Sequence, residues 1–396
     1  MKTPNSPLQE PHRAAANEKA GELGAEETGR YLRHLVLPGV GAEGQSRLKR
    51  ARVLLVGAGG LGAPAGLYLA AAGVGHLGLV DDDFVDITNL QRQVLFDTAD
   101  VGRSKVDAAR ERLRALNPNV NVVGHPVRLG EANVAALIRG YDLVVDGSDN
   151  FTTRYLVNDA CVLLGVPFIS GSVSRFEGQV SCFFPEQGPC YRCLFPSPPA
   201  PGAVPDCAEG GVLGVLPGIV GSIQAAEALK WILQAGTSLS GRLLRIDALT
   251  MKFTEVAVAR DAFCPVCGDR PSIREPGGEL SSATGRKEAN VSVPEISVKE
   301  LKRRLDAGDN IVVLDVREPH ETKISNIGGV LIPLGELPAR MHELDATRET
   351  VVYCRSGSRS ARAVTFLLDA GFDKVWNLKG GINTWADEID PGVTRY

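Results

Sequence analysis

A short apolar run that ends in a glycine-rich turn constrains the fold of this chain most tightly. Residues 53–62 read VLLVGAGGLG, with Gly57, Gly59 and Gly62 at the spacing G-x-G-x-x-G. A strand that ends at such a turn and continues as a helix presents backbone N–H groups and the positive helix end to a phosphate. The spacing alone is weak evidence, because many dinucleotide-binding α/β domains carry it.

The segment DDDFVDITNLQRQ at residues 81–93 narrows the chemistry. Asp81 ends the next apolar run, about 20 residues further on, where an acidic residue binds a ribose hydroxyl. Asp83, Asn89, Arg92 and Gln93 follow at once, and a dehydrogenase has no need of a cation there. An arginine beside a phosphate turn suits ATP, whose β- and γ-phosphates need neutralising when the α-phosphate is attacked. The segment therefore favours nucleotidyl transfer over hydride transfer.

The pattern along the chain predicts an α/β protein with two domains, as its 396 residues also favour. From Val53 to Pro167, short apolar runs alternate with helical segments, which is typical of a doubly wound parallel sheet. Antiparallel strands follow from Gly171, then a Pro/Gly-rich loop, a helix over 220–233 and two strands within 241–258. We predict a flexible tail at residues 1–26 and an adenylation-type first domain at 27–269. A linker at 270–291 then leads to a small α/β domain at 292–396.

Composition argues against several classes of partner. The net charge of −4 gives no electrostatic case for nucleic acid or an anionic membrane as the main partner. No apolar stretch reaches membrane-spanning length, and the first 26 residues lack the apolar core of a signal peptide. We therefore expect a cytoplasmic protein whose eight cysteines serve metal binding or catalysis rather than disulfides.

Acidic residues follow a later strand of the predicted sheet. Asp146, Asp149 and Asn150 end the segment LVVDGSDN, and Lys105 opens a helix. Carboxylates at the carboxyl end of a strand, opposite a glycine turn, can hold Mg²⁺ against nucleotide phosphates. The alternative is structural: Lys105 is a solvated helix residue, and Asp149 caps the helix that starts at Phe151. The order of all these motifs favours the functional interpretation.

Two C-x-x-C pairs lie far apart in the sequence. Cys190 and Cys193 form one pair, and Cys264 and Cys267 form the other. Four thiolates suit a tetrahedral structural Zn²⁺. A redox dithiol or incidental buried cysteines are the alternatives, although a redox motif would not explain two copies.

The remaining cysteines differ in their surroundings. Cys207 lies in the Pro/Gly-rich loop, where a thiol is available as a nucleophile or a resolving group, and a passive loop cysteine is the alternative. Cys161 and Cys182 stand among apolar residues and are predicted to be core residues.

Cys354 ends the strand TVVYC and opens the loop CRSGSRS before a helix. Successive N–H groups at a helix N-terminus, flanked by Arg355 and Arg359, stabilise an anion and lower the pKa of a thiol. A cysteine phosphatase needs C-x5-R, whereas the arginine here comes one residue sooner, and the tighter loop suits a persulfide. Asp315 and Arg317 on a neighbouring strand are candidates to anchor it.

These motifs together resemble two known families. Residues 25–270 resemble the ThiF/MoeB family of ubiquitin-activating-type adenylyltransferases, through GAGGLG, DDDFVDITNLQRQ, Lys105, DGSDN and the paired C-x-x-C motifs. The last hundred or so residues resemble a rhodanese domain, through LDVRE and CRSGSR. The domain order is similar to that of molybdopterin-synthase adenylyltransferase/sulfurtransferases, and the resemblance covers nearly the whole chain beyond the tail and linker.

The resemblance implies roles for particular residues. Asp81 would bind the ribose of ATP, Gly60 would pack near the nucleotide, and Asp149 would position Mg²⁺. Arg92 and Lys105 would hold phosphates. Further roles fall to three residues: a homodimer would place Arg33 in the partner's active site, Cys207 would be the loop cysteine, and Cys354 would carry sulfur.

The reaction implied is the activation of a small ubiquitin-like carrier protein at its C-terminal Gly-Gly, followed by sulfur transfer to give a thiocarboxylate. The sulfur donor would be thiosulfate or a cysteine desulfurase, and the carrier's pathway stays open among molybdopterin, cysteine, thiamine and tRNA thiolation. The chain departs from the rhodanese pattern at Asn326 and Leu331, which stand where many members have histidine and asparagine.

Two other functions compete with this one. A nicotinamide-dependent oxidoreductase shares the glycine turn, but it leaves the NLQRQ segment, Lys105 and the cysteine pairs unexplained. A non-catalytic scaffold that binds a ubiquitin-like protein would tolerate loss of Arg92, Asp149 and Cys354, all of which are present.

Overall fold

A computed structural model of the chain describes residues 21–185, 188–199, 210–277 and 293–395. The chain divides into two compact units, Met1–Gly285 and Arg286–Tyr396. The strands of the first unit are β1 Arg52–Val56, β2 His76–Val80, β3 Asn121–His125, β4 Leu143–Asp146, β5 Phe168–Ser174, β6 Glu177–Phe183, β7 Arg242–Asp247 and β8 Lys252–Ala257. Its helices are α1 Ala25–Arg30, α2 Leu32–Leu35, α3 Gly41–Arg50, α4 Gly62–Ala72, α5 Lys105–Leu116, α6 Val134–Ile138, α7 Phe151–Leu164, α8 Tyr191–Leu194 and α9 Val215–Leu233, with 3-10 turns at Ile87–Asn89 and Thr98–Asp100.

The sheet of the first unit has the strand order β3-β2-β1-β4-β5-β6-β7-β8. The first five strands in this order are parallel, and β6, β7 and β8 continue the sheet in antiparallel fashion. The predicted doubly wound α/β fold and its antiparallel extension are therefore confirmed. In such a sheet ligands bind beyond the carboxyl ends of the strands where the order reverses, which here means the ends of β1 and β4.

The alternation of side chains along β1 supplies both faces of the sheet with a core. Val53 and Leu55 lie in the apolar cluster that includes residues of α3, α4, α5 and α9. Leu54 and Val56 lie in a second cluster, which includes residues of α6 and α7. Because successive side chains of a strand point to opposite faces, one continuous apolar run serves two layers of helices. Burial on both faces fixes the position of the glycine turn that follows.

The second unit is a small parallel α/β domain, as predicted. Its elements are β9 Glu295–Ile296, α10 Val298–Asp306, β10 Val312–Asp315, β11 Val330–Leu331, α11 Leu337–Arg340, a 3-10 turn Met341–Glu343, β12 Thr350–Tyr353, α12 Ser358–Asp369, β13 Val375–Leu378 and α13 Gly381–Glu388. Its sheet has the order β11-β10-β12-β13-β9, and every pairing in it is parallel.

Three local expectations from the sequence need correction. Helix α9 begins at Val215 rather than at residue 220, because Pro217 falls in the first turn, where its missing N–H costs no hydrogen bond. Helix α1 begins at Ala25, inside the expected tail. Ile273, in the expected linker, is buried against Cys190 and Cys264, so the start of that segment packs on the first unit.

No helix among the residues that the structure describes is long and apolar enough to cross a membrane.

Candidate nucleotide, zinc and sulfur sites

The glycine turn after β1 allows a close approach between two loops. Gly57 has φ +88°, and a Cβ atom there would lie 3.0 Å from the carbonyl oxygen of Gly147 in the loop after β4. A Cβ at Gly62 would lie 1.9 Å from the carbonyl oxygen of Gly57. Any larger side chain would therefore push α4 away from the turn, and the N-terminus of α4 would no longer face the site.

The Asp81 carboxylate holds the glycine turn from the end of β2. Its Oδ2 accepts a hydrogen bond from the Ala58 backbone N–H at 2.8 Å, and its Oδ1 accepts one from the Asp83 N–H at 2.9 Å. Burial raises the pKa of Asp81, and these backbone hydrogen bonds oppose that rise. Each oxygen keeps a lone pair, which is what recognition of a ribose hydroxyl requires.

A pocket of about 330 Å³ lies beyond the ends of β1, β2 and β4. The structure gathers in its wall most of the residues that the sequence assigned to the nucleotide, from four separate segments of the chain. These residues are Gly57, Gly59, Gly60, Asp81, Asp83, Arg92, Lys105, Asp149 and Asn150.

Three predicted residues do not line this pocket. Gly62 packs behind the turn. The Oδ1 of Asn89 accepts a hydrogen bond from the Asp86 N–H at 3.3 Å and thereby closes a 3-10 turn. Arg33 is exposed on α2. The contribution of Asn89 is therefore to shape the segment that carries Arg92 into the pocket.

The two cationic side chains that the sequence assigned to the phosphates are held differently in the pocket. Lys105 is 5% exposed, and its Nζ lies 2.8 Å from Oδ2 of Asp83, a carboxylate that is 70% exposed. Arg92 donates to the Thr88 carbonyl at 3.1 Å, and its side chain lies beside Gly60. No carboxylate among the described residues forms an ion pair with Arg92. Its charge is therefore available to a polyphosphate.

Asn150, rather than Asp149, caps helix α7. The Asn150 Oδ1 accepts a hydrogen bond from the Thr153 backbone N–H at 2.8 Å. The structural alternative considered for Asp149 is therefore wrong, and its carboxylate lies in the pocket wall. Asp81, Asp82 and Asp83 also bring carboxylate oxygens within 4.8 Å of one another. These oxygen donors fit Mg²⁺, which binds few carboxylates and takes its remaining ligands from water and phosphates.

Arg154 also lines the pocket, and sequence reasoning missed it. It stands four residues after the Asn150 cap, so its side chain lies on the same helix face, one turn further along. That spacing was the available signal.

A groove of about 330 Å³ adjoins the nucleotide pocket, and the two share Asp149, Asn150, Val173 and Arg154. Polar pairs opposite one another on β5 and β6 contribute to its lining: Ser170 with Ser181, Ser172 with Gln179, and Ser174 with Glu177. Aromatic residues complete the lining at Phe151, Phe183, Tyr191 and Phe195. The groove thus presents hydroxyl and amide groups beside apolar walls, a surface suited to an extended, small-residue peptide.

The four predicted metal ligands converge. The Sγ atoms of Cys190 and Cys264 lie 3.5 Å apart, and those of Cys193 and Cys267 lie 3.3 Å apart. A tetrahedral zinc with bonds of about 2.3 Å separates its sulfurs by roughly 3.8 Å. All four are free thiols, with ligand atoms within 4.8 Å of one another. The donor set and spacing therefore fit zinc.

A buried ion pair joins this cysteine cluster to α7. Arg192, between the first two cysteines, donates from Nε and Nη2 to the two oxygens of Asp159, both at 2.8 Å. Both side chains are fully buried. The Tyr191 N–H also donates to the Asn158 side chain at 2.8 Å. The cluster is thereby fixed to the helix whose N-terminus lies at the nucleotide pocket.

We expect one zinc ion per chain, with a mainly structural role. Because metal binding contributes directly to folding, the double substitution Cys190→Ser/Cys193→Ser should remove the zinc and lower the Tm. Metal analysis of the purified protein and thermal unfolding measure both effects. Cys161→Ala, in a buried cysteine outside the cluster, should keep the zinc. Purified wild-type protein without zinc, or zinc retained by the double variant, would contradict the assignment.

Cys354 lies just before the N-terminus of α12. The residue is 1% exposed and belongs to an apolar core cluster of the second unit. The Gly357 N–H donates to Sγ at 3.2 Å, and the Ser360 hydroxyl lies 3.4 Å from it. Ser360 Oγ also lies 2.7 Å from the Asn377 side-chain oxygen. A single hydroxyl hydrogen serves one acceptor at a time, so a negative charge on sulfur would compete with Asn377 for it.

Arg359 does not act as a free cation beside the sulfur. Its Nη1 and Nη2 donate to the two carboxylate oxygens of Glu321 at 2.6 and 2.7 Å, and both residues are buried. The expectation that Arg359 flanks an anion as a free cation is therefore wrong, whereas the role of Arg355 stays a prediction. Arg359 instead ties the end of the loop to the segment after β10, because a buried guanidinium needs a bound counter-charge.

Contacts within the second unit hold the residues around the loop, at the departures from the rhodanese pattern as well. Asp315 and Arg317 form a buried ion pair at 2.6 Å, and the guanidinium lies 5.2 Å from the ring centre of Tyr353, which precedes Cys354. The Oδ1 of Asn326 accepts a hydrogen bond from the Gly328 N–H at 2.6 Å. This bond lets Asn326 stabilise the turn at the position where many rhodaneses carry histidine.

Of the other three cysteines, two lie in the core and one lies outside the residues that the structure describes. Cys161 and Cys182 are fully buried, and burial raises the pKa of each thiol well above its usual value. Their predicted core role is confirmed. Cys207 lies outside the described residues.

Comparison with known families agrees with this architecture. Residues 31–266 match the ThiF family, and residues 297–388 match the rhodanese-like domain. The probable adenylyltransferase/sulfurtransferase MoeZ of Mycobacterium tuberculosis (strain ATCC 25618 / H37Rv) is 44% identical over 403 residues, which cover both chains in full. The adenylyltransferase and sulfurtransferase MOCS3 of Mus musculus is 43% identical, over 99% of this chain and 92% of the mouse protein. The sulfur carrier protein adenylyltransferase of Thermus thermophilus is 58% identical over 63% of this chain and 94% of its own.

Among solved structures, Escherichia coli MccB has a similar fold. It superposes with a TM-score of 0.56 at 22% identity, over 64% of this chain and 75% of MccB. The two family matches and the full-length relative show that the chain belongs to the ThiF family, in the form that also carries a rhodanese domain. It is an adenylyltransferase and a sulfurtransferase, and nothing in these relatives favours a nicotinamide-dependent oxidoreductase.

Proposed function

We propose that this protein adenylates the C-terminal Gly-Gly of a ubiquitin-like sulfur-carrier protein and then converts that carboxylate to a thiocarboxylate. The observation that carries the proposal is that two cavities meet. One is the nucleotide pocket, which contains the cations Arg92 and Lys105, and the other is the groove, which suits an extended tail. A carboxylate that arrives along the groove meets the phosphates at this junction. The proposed setting is cytoplasmic, and the proposed cofactors are ATP, Mg²⁺ and a structural Zn²⁺.

Adenylation needs charge stabilisation more than acid–base chemistry. One oxygen of the tail carboxylate attacks the α-phosphorus, the bond to the bridging oxygen breaks, and pyrophosphate leaves with the electron pair. Arg92 and Lys105 are placed to neutralise the leaving phosphates, and Asp81 to hold the ribose. Bound Mg²⁺, held by Asp149, would add further positive charge at the phosphates. The acyl-adenylate then has AMP as a good leaving group.

Sulfur transfer follows from the same electrophile. The terminal sulfur of a Cys354 persulfide attacks the activated carbonyl and displaces AMP, which leaves an acyl disulfide. Attack of a second thiolate on the Cys354 sulfur releases the thiocarboxylate and forms a protein disulfide, which an external dithiol reduces. Cys207 is the proposed second thiol. Thiosulfate or the persulfide of a cysteine desulfurase would recharge Cys354.

Carrier-dependent ATP–pyrophosphate exchange tests this function against its rivals. We expect exchange with at least one of the carriers for molybdopterin, cysteine, thiamine or tRNA thiolation, and no binding of pyridine nucleotides. An oxidoreductase would show the reverse pattern, and a scaffold would bind a carrier without exchange.

We further propose that the adenylating unit is a homodimer in which Arg33 acts on the partner's nucleotide. Arg33 is absent from the wall of its own pocket, and Leu32, Val36 and Leu37 beside it are exposed, which is unusual unless another surface covers them.

Subunit mixing tests this arrangement. Arg33→Ala and Asp149→Ala should each be inactive alone, but a heterodimer places both defects in one site and leaves the other site whole. We therefore expect partial recovery of pyrophosphate exchange after the two variants are mixed and exchanged. Failure to recover activity, when labelled subunits show that exchange took place, would contradict action of Arg33 across the dimer.

A further inference from the structure

Arg154 lies where the groove and the nucleotide pocket meet. It belongs to the first turns of α7, is 8% exposed, and lines both cavities. Among the described residues that line the groove, it is the single basic one. The position places a permanent positive charge at the point where a tail would end.

The local packing fixes the orientation of this guanidinium. Its Nη2 donates to the Ser148 carbonyl at 2.7 Å, and its central carbon lies 5.7 Å from the ring centre of Phe151. Its charge also lowers the pKa of the Tyr191 hydroxyl, which burial raises. The Nε has no hydrogen-bond partner among the described residues. A buried N–H donor without an acceptor costs free energy. A ligand that accepts a hydrogen bond from the Arg154 guanidinium is therefore favoured.

The surroundings make a cation necessary for an anionic substrate. Asp149 lines the same junction, and Asp146 is buried behind it, with a pKa that burial raises and the Arg154 charge lowers. A tail carboxylate that enters beside Asp149 meets like charge. A planar guanidinium offsets that repulsion and can bind a carboxylate through two parallel N–H groups.

We propose that Arg154 binds and orients the attacking carboxylate of the carrier, an inference that rests on the proposed adenylation function. The guanidinium holds one carboxylate oxygen while the other forms the new bond to the α-phosphorus. The bond from that phosphorus to pyrophosphate breaks, and the pyrophosphate takes the electron pair. Arg154 keeps its proton throughout, so its contribution is orientation and charge balance rather than proton transfer.

A double-mutant cycle between Arg154 and the carboxylate separates this role from a structural one. The probes are two forms of the carrier that supports exchange, one ending in Gly-Gly carboxylate and one in Gly-Gly amide, with binding measured without ATP. Wild-type protein should bind the carboxylate form about tenfold or more tightly than the amide. Arg154→Gln should bind both forms almost equally, whereas loss of a purely structural contact would weaken both alike and preserve the ratio.

Two further variants keep the test decisive. Arg154→Lys retains the charge that balances Asp146, and should reduce the ratio if Arg154→Gln does not fold, because an ammonium lacks the planar fork. Arg112→Gln, in an exposed arginine on α5 that lines neither cavity, should keep the wild-type ratio. A wild-type ratio in a folded Arg154 variant would overturn the inference while adenylation stands. Absence of carrier-dependent exchange in the wild type would instead overturn the proposed function and, with it, this role.

Discussion

Replacement of Asp149 by alanine should reduce carrier-dependent ATP–pyrophosphate exchange by about 10²–10³-fold, the usual cost of removing one preorganised charge at a transition state. The expected loss is large because negative charge builds up on the leaving phosphates, and Asp149 is the proposed holder of the cation that offsets it. Since Asn150 rather than Asp149 caps α7, the substitution should leave the helix start intact. Steady-state exchange kinetics and thermal unfolding together check both statements.

Two comparisons sharpen this result. Asp373→Ala, in an exposed aspartate of the second unit, should exchange pyrophosphate at the wild-type rate. Arg92→Ala and Lys105→Ala should lose exchange by a similar factor, because the phosphates lose a cation. Near-normal exchange in folded Asp149→Ala would show that the assigned site is wrong.

Replacement of Cys354 by alanine should abolish thiosulfate:cyanide sulfurtransferase activity and leave pyrophosphate exchange nearly intact. The sulfur loop belongs to the second unit, whereas the residues of the proposed adenylation site belong to the first. Formation of the carrier thiocarboxylate should fall strongly, because no persulfide remains to attack the acyl-adenylate.

The reciprocal variant supplies the control for this division of labour. Asp149→Ala should lose exchange and keep thiosulfate:cyanide transfer, and Cys207→Ala should keep both half-reactions while weakening the coupled one. Equal loss of adenylation and sulfur transfer in Cys354→Ala would mean that the two activities are not separable.

Local patterns in the sequence predicted much of the architecture. The parallel sheet follows from alternating apolar runs and helices, and the glycine spacing marks the turn after β1. The four cysteines could be paired into one cluster because zinc demands four ligands, and the structure brings their sulfurs together. These features can be predicted from the sequence because each depends on a repeating pattern or on a fixed number of ligands.

Features that depend on partners remote in the chain could not be predicted from local sequence patterns. Arg359 lies beside the sulfur loop in sequence, yet its charge is neutralised by Glu321, which is remote in the chain. Lys105 is likewise paired with Asp83. The role of Arg154 depends on two cavities that meet at one side chain, and no local motif encodes that meeting.

The mass of a carrier protein after reaction shows whether one chain both activates the carrier and supplies its sulfur. The wild-type protein is incubated with ATP, Mg²⁺, thiosulfate, a dithiol reductant and a carrier that ends in Gly-Gly, and the intact carrier is weighed. We expect a mass gain equal to the replacement of one oxygen by sulfur, and acyl-adenylate instead when Cys354→Ala is used. A carrier that supports pyrophosphate exchange but gains no sulfur, although Cys354 is shown to carry a persulfide, would contradict the claim that one chain performs both activation and sulfur transfer.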